Sequence, residues 1–386
     1  MNKLRAAFLL GSGISSSSES PSVKEITRRL LKEPWIEHSD WKFYPCKPSD
    51  CSTVDEQERA KRAQNLILIL KEQIDSHLLV RENRESHYED YFACLKQIVQ
   101  DEQAEITNPL IVKNVEYLKM ACSHLYLGYE SHLPINGTDN HFASLADRAS
   151  DLIQWVVYHS LCDIRNPIGL DLISEAAVSL KGLDIFTLNH DLLVEQELHN
   201  NKIEYSDGFS EEDGDAYLFS RDWNTHNTRV FKLHGSIEWV RFMKQNLVKY
   251  VRIPMNPDEA KDGKGEFFES LETAPLFLSG IGVKEQAYGK GLFGEIFAQF
   301  HERLKDHHTL ICSGYGWGDN GINIRIDQWL CNSEKNRLLI LHDETGENLE
   351  TKRFWSHRWS DYLNRKVFHI PRWLSKCSLQ DIERYL

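Results

Sequence analysis

Asn189 and His234 each follow a short apolar run, and their side chains could do chemistry. An amide and an imidazole brought together over a ribose can position a water or a hydroxyl for attack at the anomeric carbon. A third segment, Gly11-Ser-Gly-Ile-Ser15, follows another apolar run. Its glycines would let backbone N–H groups approach a pyrophosphate. Together the three segments outline a dinucleotide site.

Each segment taken alone has a structural alternative. A Gly-x-Gly turn occurs in many α/β proteins that bind no nucleotide, and this one lacks the third glycine of the dehydrogenase fingerprint. A histidine before a glycine is often a turn residue, and Asn189-His-Asp191 can be a helix cap. The order of the three segments and their position after predicted strands favour the dinucleotide site.

The elements that would position these residues follow from the apolar pattern. Runs bounded by turn residues predict buried parallel strands. These lie at about Ala6 to Leu10, Leu183 to Leu188, Val230 to Leu233, Leu276 to Leu278, Leu310 to Ser313 and Leu338 to Leu341, with an edge strand at Val367 to Ile370. Helical patterns alternate with the runs after Ser20 and at Leu192 to His199, Ile296 to Leu304 and Asn323 to Cys331. The alternation predicts an α/β fold with a doubly wound parallel Rossmann-like sheet, whose ligands bind at the carboxyl ends of the strands.

A large helical insertion is predicted between the first two strands. Apolar residues recur at helical spacing over Glu56 to Leu79, Tyr88 to Gln100, Ile111 to Leu125 and Leu145 to Leu161. The predicted division of the chain assigns residues 1–34 and 165–386 to the sheet domain and 35–164 to the inserted module. The module would serve as an assembly surface or as a lid over the site. A second insertion, about Arg241 to Glu272, is predicted to be a mobile surface segment or lid.

Composition excludes several classes of protein. The 58 acidic and 45 basic residues give a net charge of −13, so no direct nucleic-acid binding is expected. No apolar run approaches the roughly 18 to 20 residues that span a bilayer, and no leader precedes the first strand, so a cytoplasmic protein is expected. The eight cysteines form no Cys-x-x-Cys pair, so neither a disulfide framework nor a metal site is predicted.

Four segments, in order, resemble the sirtuins, and in particular the divergent bacterial sirtuin-like proteins that lack the deacetylase zinc module. Gly11-Ser-Gly-Ile-Ser15 resembles their Gly-Ala-Gly-Ile-Ser phosphate turn, and Thr187-Leu-Asn-His-Asp191 resembles Thr-Gln-Asn-Ile-Asp. His234-Gly235 resembles the catalytic His-Gly pair, and Ile311-Cys-Ser-Gly-Tyr-Gly-Trp-Gly-Asp319 is similar to the Gly-Tyr-Ser turn of the divergent branch. Leu188 and His190 differ from the Gln and Ile of the deacetylases, which predicts a differently shaped nicotinamide pocket.

The resemblance implies a role for each matching residue, with NAD as the substrate. His234 would deprotonate or orient a ribose hydroxyl, Asn189 would hold the attacking water or the ribose, and Asp191 would bond the nicotinamide carboxamide. Asp343, after the last core strand, is a candidate for an adenosine-ribose hydroxyl. The pyrophosphate would lie between two turns, formed by Gly11, Ser12, Gly13, Ile14 and Ser15 and by Ser313, Gly314 and Tyr315.

The implied activity is hydrolysis of NAD to ADP-ribose and nicotinamide, without zinc. In the divergent branch the resemblance further implies antiphage defence by NAD depletion, controlled by homo-oligomer assembly or by a HerA-type ATPase partner. Two other functions are open at this point. One is an NAD or ADP-ribose sensor without turnover, for which neither Asn189 nor His234 would be needed. The other is an NAD-dependent protein deacylase, which the missing zinc cysteines disfavour.

Overall fold

A computed structural model gives the fold of the chain. It describes residues 6–46, 53–103, 105–106, 108–126, 134–135, 138–139, 141–244, 246–254, 258–268, 270–271, 274–280, 283–343, 349, 352, 354–355 and 358–386.

The strands are numbered in chain order. They are β1 Ala6–Leu10, β2 Trp35–Glu37, β3 Phe43–Pro45, β4 Pro134–Ile135, β5 Thr138–Asp139, β6 Asp184–Thr187, β7 Tyr205–Ser206, β8 Gly208–Asp213, β9 Ala216–Asp222, β10 Thr228–Lys232, β11 Trp239–Lys244, β12 Leu247–Arg252, β13 Thr309–Ser313, β14 Arg337–Leu341 and β15 Val367–Ile370.

The helices are numbered in the same way. They are α1 Val23–Lys32, α2 Val54–Glu82, α3 Tyr88–Glu102, α4 Pro109–Ala121, α5 Ser123–Tyr126, α6 His141–Leu161, α7 Asp171–Ser179, α8 Leu193–Asn200, α9 Val283–Ala287, α10 Gly291–Leu304 and α11 Asn320–Asn332. Short helical segments follow at Trp359–Tyr362, Leu374–Lys376 and Leu379–Glu383, and a 3₁₀ turn at Ser12–Ser18 follows β1.

Seven parallel strands form the central sheet, in the order β15-β14-β13-β1-β6-β10-β7. From β1 the chain first builds the β6 side of the sheet and then the β13 side, so the strand order reverses between β1 and β13. Such a reversal opens a crevice at the carboxyl ends of the strands, where ligands of doubly wound sheets bind. The predicted α/β class and doubly wound parallel sheet are confirmed.

The sheet is buried on both faces, as its uninterrupted apolar strands predict. In β1, Ala7 and Leu9 face a core shared with α10 and α11, whereas Phe8 and Leu10 face a core shared with α7 and α8. The same alternation holds in β6, where Phe186 and Ile185 face opposite cores. Helices on both sides therefore fix the plane and the register of the strands.

The strands end level with one another at the carboxyl edge of the sheet. Leu10 pairs with Ser313 on one side and with Thr187 on the other. Thr187 in turn pairs with Lys232, the last residue of β10. Because all four strands stop at one level, the segments that follow them emerge at the same edge.

Helices α1 to α6 share a core of their own, in which α2, α3 and α6 contribute most of the buried side chains. The capping box of Thr53 and Glu56 begins α2. This core continues into Leu192, Ile237 and Phe277, which belong to loops beyond β6 and β10. The helical region thus lies directly against the loops at the carboxyl edge. Its division from the sheet domain at residues 34/35 and 164/165 stays a prediction.

The structure differs from the sequence-based expectation in two places. Leu276–Leu278 is not a strand of the central sheet, because Phe277 forms only an isolated antiparallel bridge with Gly235. Within the expected lid at 241–272, β11 and β12 form a hairpin that extends a four-stranded antiparallel sheet in the order β11-β12-β9-β8. Both errors come from apolar runs too short to reveal the direction or partner of a strand.

Several elements of the described chain were not predicted, and two of them belong to the sheet domain around the central sheet. Helix α7 covers one face of the sheet, and the two-residue strand β7 forms its edge beyond β10. Within the described residues, no helix combines the length and the apolar character needed to cross a bilayer.

Candidate active site

The two glycine turns pack against each other at the point where the strand order reverses. The N–H of Gly11 donates to the Ser313 carbonyl at 2.9 Å, and the N–H of Gly13 donates to the Gly314 carbonyl at 3.0 Å. A Cβ on Gly11 would lie 2.5 Å from the Gly314 oxygen, and one on Gly314 would lie 2.5 Å from the nitrogen of Ile14. The glycines are therefore required by the close approach of the two turns.

This packing changes what the first turn can offer a phosphate. The N–H groups of Gly11 and Gly13 already donate within the protein, so they are not available in this arrangement. Ser12, at the start of the 3₁₀ turn, is exposed, whereas Ile14 is buried in the core beneath the turn. The pyrophosphate role of residues 11 to 15 stays a prediction.

A buried chain of hydrogen bonds links the first turn to the segment after β6. The side-chain amide of Asn189 donates to Ser15 Oγ at 3.0 Å, and Ser15 Oγ donates to Asp191 Oδ2 at 2.9 Å. Asp191 Oδ1 accepts from the N–H of Leu193 at the start of α8. Because the Ser15 proton goes to Asp191, Ser15 must accept from Asn189, which fixes the amide orientation. Asn189 Oδ1 is left buried without a partner.

Asp191 is held inside the protein by this chain. Burial raises the pKa of its carboxyl group, and the positive charge of Lys232 opposes that rise. Lys232 donates to the Asp191 carbonyl and pairs with Glu195 at 2.9 Å. Both carboxylate oxygens of Asp191 already accept hydrogen bonds. Asp191 therefore holds the segment between β6 and α8 against the first glycine turn.

His234 follows β10 at the same edge of the sheet and is only 4% exposed. Its Nε2 lies 2.9 Å from Asp319 Oδ2 and 2.8 Å from the Tyr288 hydroxyl. The Tyr288 hydroxyl donates to the same oxygen of Asp319 at 2.6 Å. The Asp319 carboxylate and the Tyr288 hydroxyl therefore both contact the same nitrogen of the imidazole.

The charges around His234 act in opposite directions on its pKa. Burial lowers that pKa below the ordinary value, and the positive charge of Lys284 adds to the effect. Asp319 and Glu89 oppose it. The net result is a neutral imidazole near pH 7, which is the form that can accept a proton.

Asp319 and Tyr288 stay in fixed protonation states beside this imidazole. Burial works to raise the pKa of Asp319, but the hydrogen bonds from His234, Tyr288 and the Ile322 N–H outweigh it and hold that pKa well below its usual range. Burial and the nearby Asp319 charge raise the pKa of the Tyr288 hydroxyl far above its usual range. Asp319 is thus a carboxylate and Tyr288 a neutral phenol.

His190 lies between the Asn189 segment and His234. Its ring packs on Phe277 with centroids 4.6 Å apart, and its centroid is 6.3 Å from that of His234. Burial lowers the pKa of His190 well below its usual value, and the positive charges of Lys284 and Lys232 act in the same direction. One ring nitrogen interacts with the backbone of Gly235, while the other, Nδ1, is buried without a partner. A neutral acceptor is therefore left beside Asn189 Oδ1.

The remaining predicted site residues have structural contacts. The Ser313 hydroxyl donates to the Leu341 carbonyl at 2.9 Å, and the Tyr315 hydroxyl bonds Asn323 and the Asp319 carbonyl at 2.9 Å each. These side chains brace the second turn and are buried. Asp343 is exposed at the end of β14, with one oxygen 3.6 Å from His342 Nδ1. None of these contacts tests the ligand role predicted for the three residues.

The residues that contact His234, Asp319 and Tyr288, were not predicted as site residues. Asp319 ends the glycine-rich segment quoted for the second turn, so its position after a strand was a signal that could have identified it. Lys284 lies in α9 and Tyr288 directly follows that helix, and no sequence motif marks either residue. Lys284 pairs with Glu89 of α3 at 3.0 Å. Only the folded chain brings these residues beside the end of β10.

A cleft of about 630 Å³ lies elsewhere, at the β7 edge of the sheet. Its wall includes Lys202, Tyr205, Tyr217 and Arg252, and no residue of the predicted site lines it. Arg252 is already paired with Asp207 at 3.1 Å and packs over the Tyr217 ring. Among the residues that the structure describes, no three His, Cys, Asp or Glu side chains are grouped so as to hold a metal ion.

Comparison with known proteins bears on this arrangement. No curated protein matches the chain. Residues 184–363 match a family model described as the SIR2-like domain. The matched range includes Asn189, His234, Tyr288 and Asp319, and it begins after the first glycine turn. SIR2-like domains bind NAD, and the members of this family are NAD-dependent enzymes. Over residues 184–363 the chain is therefore similar to the SIR2-like domain.

Proposed function

We propose that the chain hydrolyses NAD to ADP-ribose and nicotinamide. The observation that carries the proposal is the presence of two kinds of group on the segments that follow two neighbouring strands, β6 and β10, at the carboxyl edge of the sheet. Asn189 offers a buried acceptor oxygen without a partner, and His234 offers a neutral imidazole held by Asp319 and Tyr288. A site that must orient a water or a ribose hydroxyl and then accept a proton needs both kinds of group.

The proposed reaction needs few other groups from the protein. Nicotinamide leaves as a neutral molecule when the glycosidic bond breaks, because its pyridinium nitrogen takes the electron pair, so no general acid is needed. The protein must stabilise a positively charged ribose and direct the nucleophile. Asn189 Oδ1 would accept from the O–H of the water or of the ribose, and His234 would take up the proton.

The two residues that follow Asn189, His190 and Asp191, carry acceptor groups of the kind that binds the carboxamide of nicotinamide. Asp191, the residue expected to bond the carboxamide, has both oxygens occupied by Ser15 and Leu193. His190 Nδ1 is the unpartnered acceptor next to it, and a carboxamide N–H₂ group is a suitable donor. We therefore assign His190 to the carboxamide together with, or in place of, Asp191.

Water is the acceptor that the sequence favours. The deacylase sirtuins form one wall of their peptide cleft with a four-cysteine zinc module, and this chain has no Cys-x-x-Cys pair. The direct test is to incubate purified protein with NAD, with and without an acetylated peptide, and to quantify nicotinamide, ADP-ribose and deacetylated peptide. We expect nicotinamide and ADP-ribose in equal amounts, independent of the peptide. Nicotinamide release only with peptide would contradict hydrolysis, and NAD left intact under every activating condition would contradict an enzyme.

The biological role that we propose is antiphage defence by NAD depletion in the bacterial cytoplasm. An unrestrained NAD hydrolase would kill its own cell, so we propose control by homo-oligomer assembly or by a HerA-type ATPase partner. Size-exclusion chromatography with light scattering, with and without a purified HerA-type ATPase, would measure both kinds of assembly. Activity that is full in a monomer and unchanged by the ATPase would contradict this form of control.

A further inference from the structure

The feature that goes beyond the proposed chemistry is the shared contact of His234 and Tyr288 with a single carboxylate oxygen. Asp319 Oδ2 lies 2.9 Å from His234 Nε2 and 2.6 Å from the Tyr288 hydroxyl. The other oxygen, Oδ1, accepts the Ile322 N–H at 3.1 Å and caps the start of α11. Asp319 therefore has two separate tasks, one on each oxygen.

The proton positions follow from the chemistry of the three groups. An ionised carboxylate can only accept, so both contacts on Oδ2 must be donated to it. Tyr288 donates its single proton, and His234 Nε2 must carry hydrogen, because two lone pairs at 2.9 Å would repel. A neutral imidazole with hydrogen on Nε2 keeps its lone pair on Nδ1. The contacts thus select one tautomer of His234.

We infer that Asp319 is a positioning residue which, with Tyr288, holds His234 in the tautomer and ring orientation that present Nδ1 as the base. This inference rests on the proposed hydrolysis for its catalytic meaning. In that reaction a water oxygen bonds to the ribose C1′ as the C1′–N bond breaks, and the electron pair leaves with nicotinamide. The water proton goes to His234 Nδ1 and later to solvent. The Asp319 charge stabilises the imidazolium formed in between.

The variant Asp319→Asn separates the two tasks of the residue. Asparagine is as good a helix cap as aspartate, so α11 keeps its first turn. Its N–H₂ group, in place of Oδ2, would donate to His234 Nε2 and favour the opposite tautomer. We expect kcat to fall roughly 10²- to 10⁴-fold, the range seen when the carboxylate of a catalytic histidine is replaced in this way, with little change in NAD affinity. Asp171→Asn, an exposed change at the start of α7, is the matched control.

Two readouts distinguish positioning from a purely structural role. The first is the ¹⁵N spectrum of His234 in the full chain, which we expect to report hydrogen on Nε2 in the wild type and on Nδ1 in Asp319→Asn. The second is the pH dependence of kcat/KM. Loss of the Asp319 charge leaves Lys284 opposed only by Glu89, with Tyr288 and His190 neutral. The His234 pKa then falls, so the rise of kcat/KM with pH should begin at lower pH.

Tyr288→Phe keeps the ring and removes the donor to Asp319, so we expect a smaller loss, on the order of tenfold in kcat. Unchanged kcat and unchanged tautomer in Asp319→Asn would overturn the inference. If the wild type shows no turnover, the ¹⁵N spectrum still decides it. A tautomer that changes in Asp319→Asn then supports positioning while the hydrolase proposal fails, and a tautomer that does not change overturns the positioning as well.

Discussion

At the scale of single residues, the candidate site is a set of buried polar groups whose partners fix their protons. Ser15 accepts from Asn189 and donates to Asp191, so two segments distant in sequence share one proton arrangement. Asp319 accepts hydrogen bonds from both His234 and Tyr288, which fixes their protons in a similar way. Buried networks of this kind hold one geometry when every member is satisfied and become costly when one is removed. Asn189 Oδ1 and His190 Nδ1 are buried acceptors without a partner in the same region.

Ser15→Ala tests the first network. We expect the free energy of unfolding to fall by about 1 to 3 kcal/mol, because the buried amide of Asn189 and the carboxylate of Asp191 each lose a partner. NAD turnover should fall as well, since Asn189 is then free to turn. Denaturant unfolding and nicotinamide release measure the two effects, with exposed Ser17→Ala as the control. A variant as stable and as active as wild type would show that the hydrogen-bond chain has no role.

The glycines of the two turns make a prediction about packing. Gly11→Ala would place a methyl group 2.5 Å from the Gly314 oxygen, so we expect a loss of about 1 to 3 kcal/mol or more in the free energy of unfolding. Gly316→Ala is the matched control, because nothing lies within 4 Å of its added Cβ. It should change stability by no more than about 0.5 kcal/mol. Equal effects of the two variants would contradict the packing of the turns against each other.

At the scale of elements, the candidate site is assembled from strand ends, and a helix of the helical region reaches the same edge. The strands β1, β6, β10 and β13 stop at one level, and α3 of the helical region reaches the same edge through the Glu89–Lys284 pair. Gly280, just before Lys284, lies against Phe92 and Ala93 of α3. These contacts place α3 beside the segment that carries Lys284 and Tyr288.

Glu89→Gln tests this link between the helical region and His234. Glu89 opposes the lowering of the His234 pKa, whereas Lys284 promotes it. Removing the Glu89 charge leaves only Asp319 to oppose Lys284, so the His234 pKa falls further. The pH at which NAD hydrolysis begins to rise should therefore move down. A pH profile of kcat/KM measures the shift, with Glu72→Gln on the exposed face of α2 as control. No shift, or a shift upward, would contradict the coupling.

The sequence predicts the strands that position this site better than it predicts the side-chain contacts within the site. A buried parallel strand such as β1 is an uninterrupted apolar run, so its bounds follow directly from the residues. The hairpin of β11 and β12 is half-exposed and was not recognised. Asn189 and His234 were identified because they end apolar runs in a familiar order. Tyr288 was missed because its place beside His234 depends on how α9 packs, which no local pattern encodes.

At the scale of the whole molecule, a sheet buried on both faces also encloses charges that support the fold far from the site. Asp184, at the start of β6, is fully buried and accepts from His307 at 2.6 Å and from Arg229. Burial works to raise the pKa of Asp184, but the hydrogen bond and charge of His307 and the charge of Arg229 outweigh it. The pKa in the folded chain therefore lies below the unfolded value.

This sign sets the pH dependence of stability. A carboxyl group with a depressed folded pKa stabilises the fold above its unfolded pKa, about 3.9 for aspartate, and the contribution is lost as pH falls through the folded pKa. We expect Asp184→Asn to cost about 3 to 5 kcal/mol at pH 7 and progressively less below about pH 4. Denaturant unfolding at several pH values measures this, with exposed Asp163→Asn as control. A cost that grows toward acid would contradict the assignment.

The central claim is that Asn189 and His234 act together on bound NAD, and one comparison tests it most directly. Nicotinamide release and NAD affinity are measured side by side for the wild type, Asn189→Ala and His234→Ala. We predict that each substitution abolishes nicotinamide release while leaving NAD affinity largely intact, because the two groups act on the reacting ribose. Variants that still release nicotinamide at the wild-type rate would contradict the proposed chemistry.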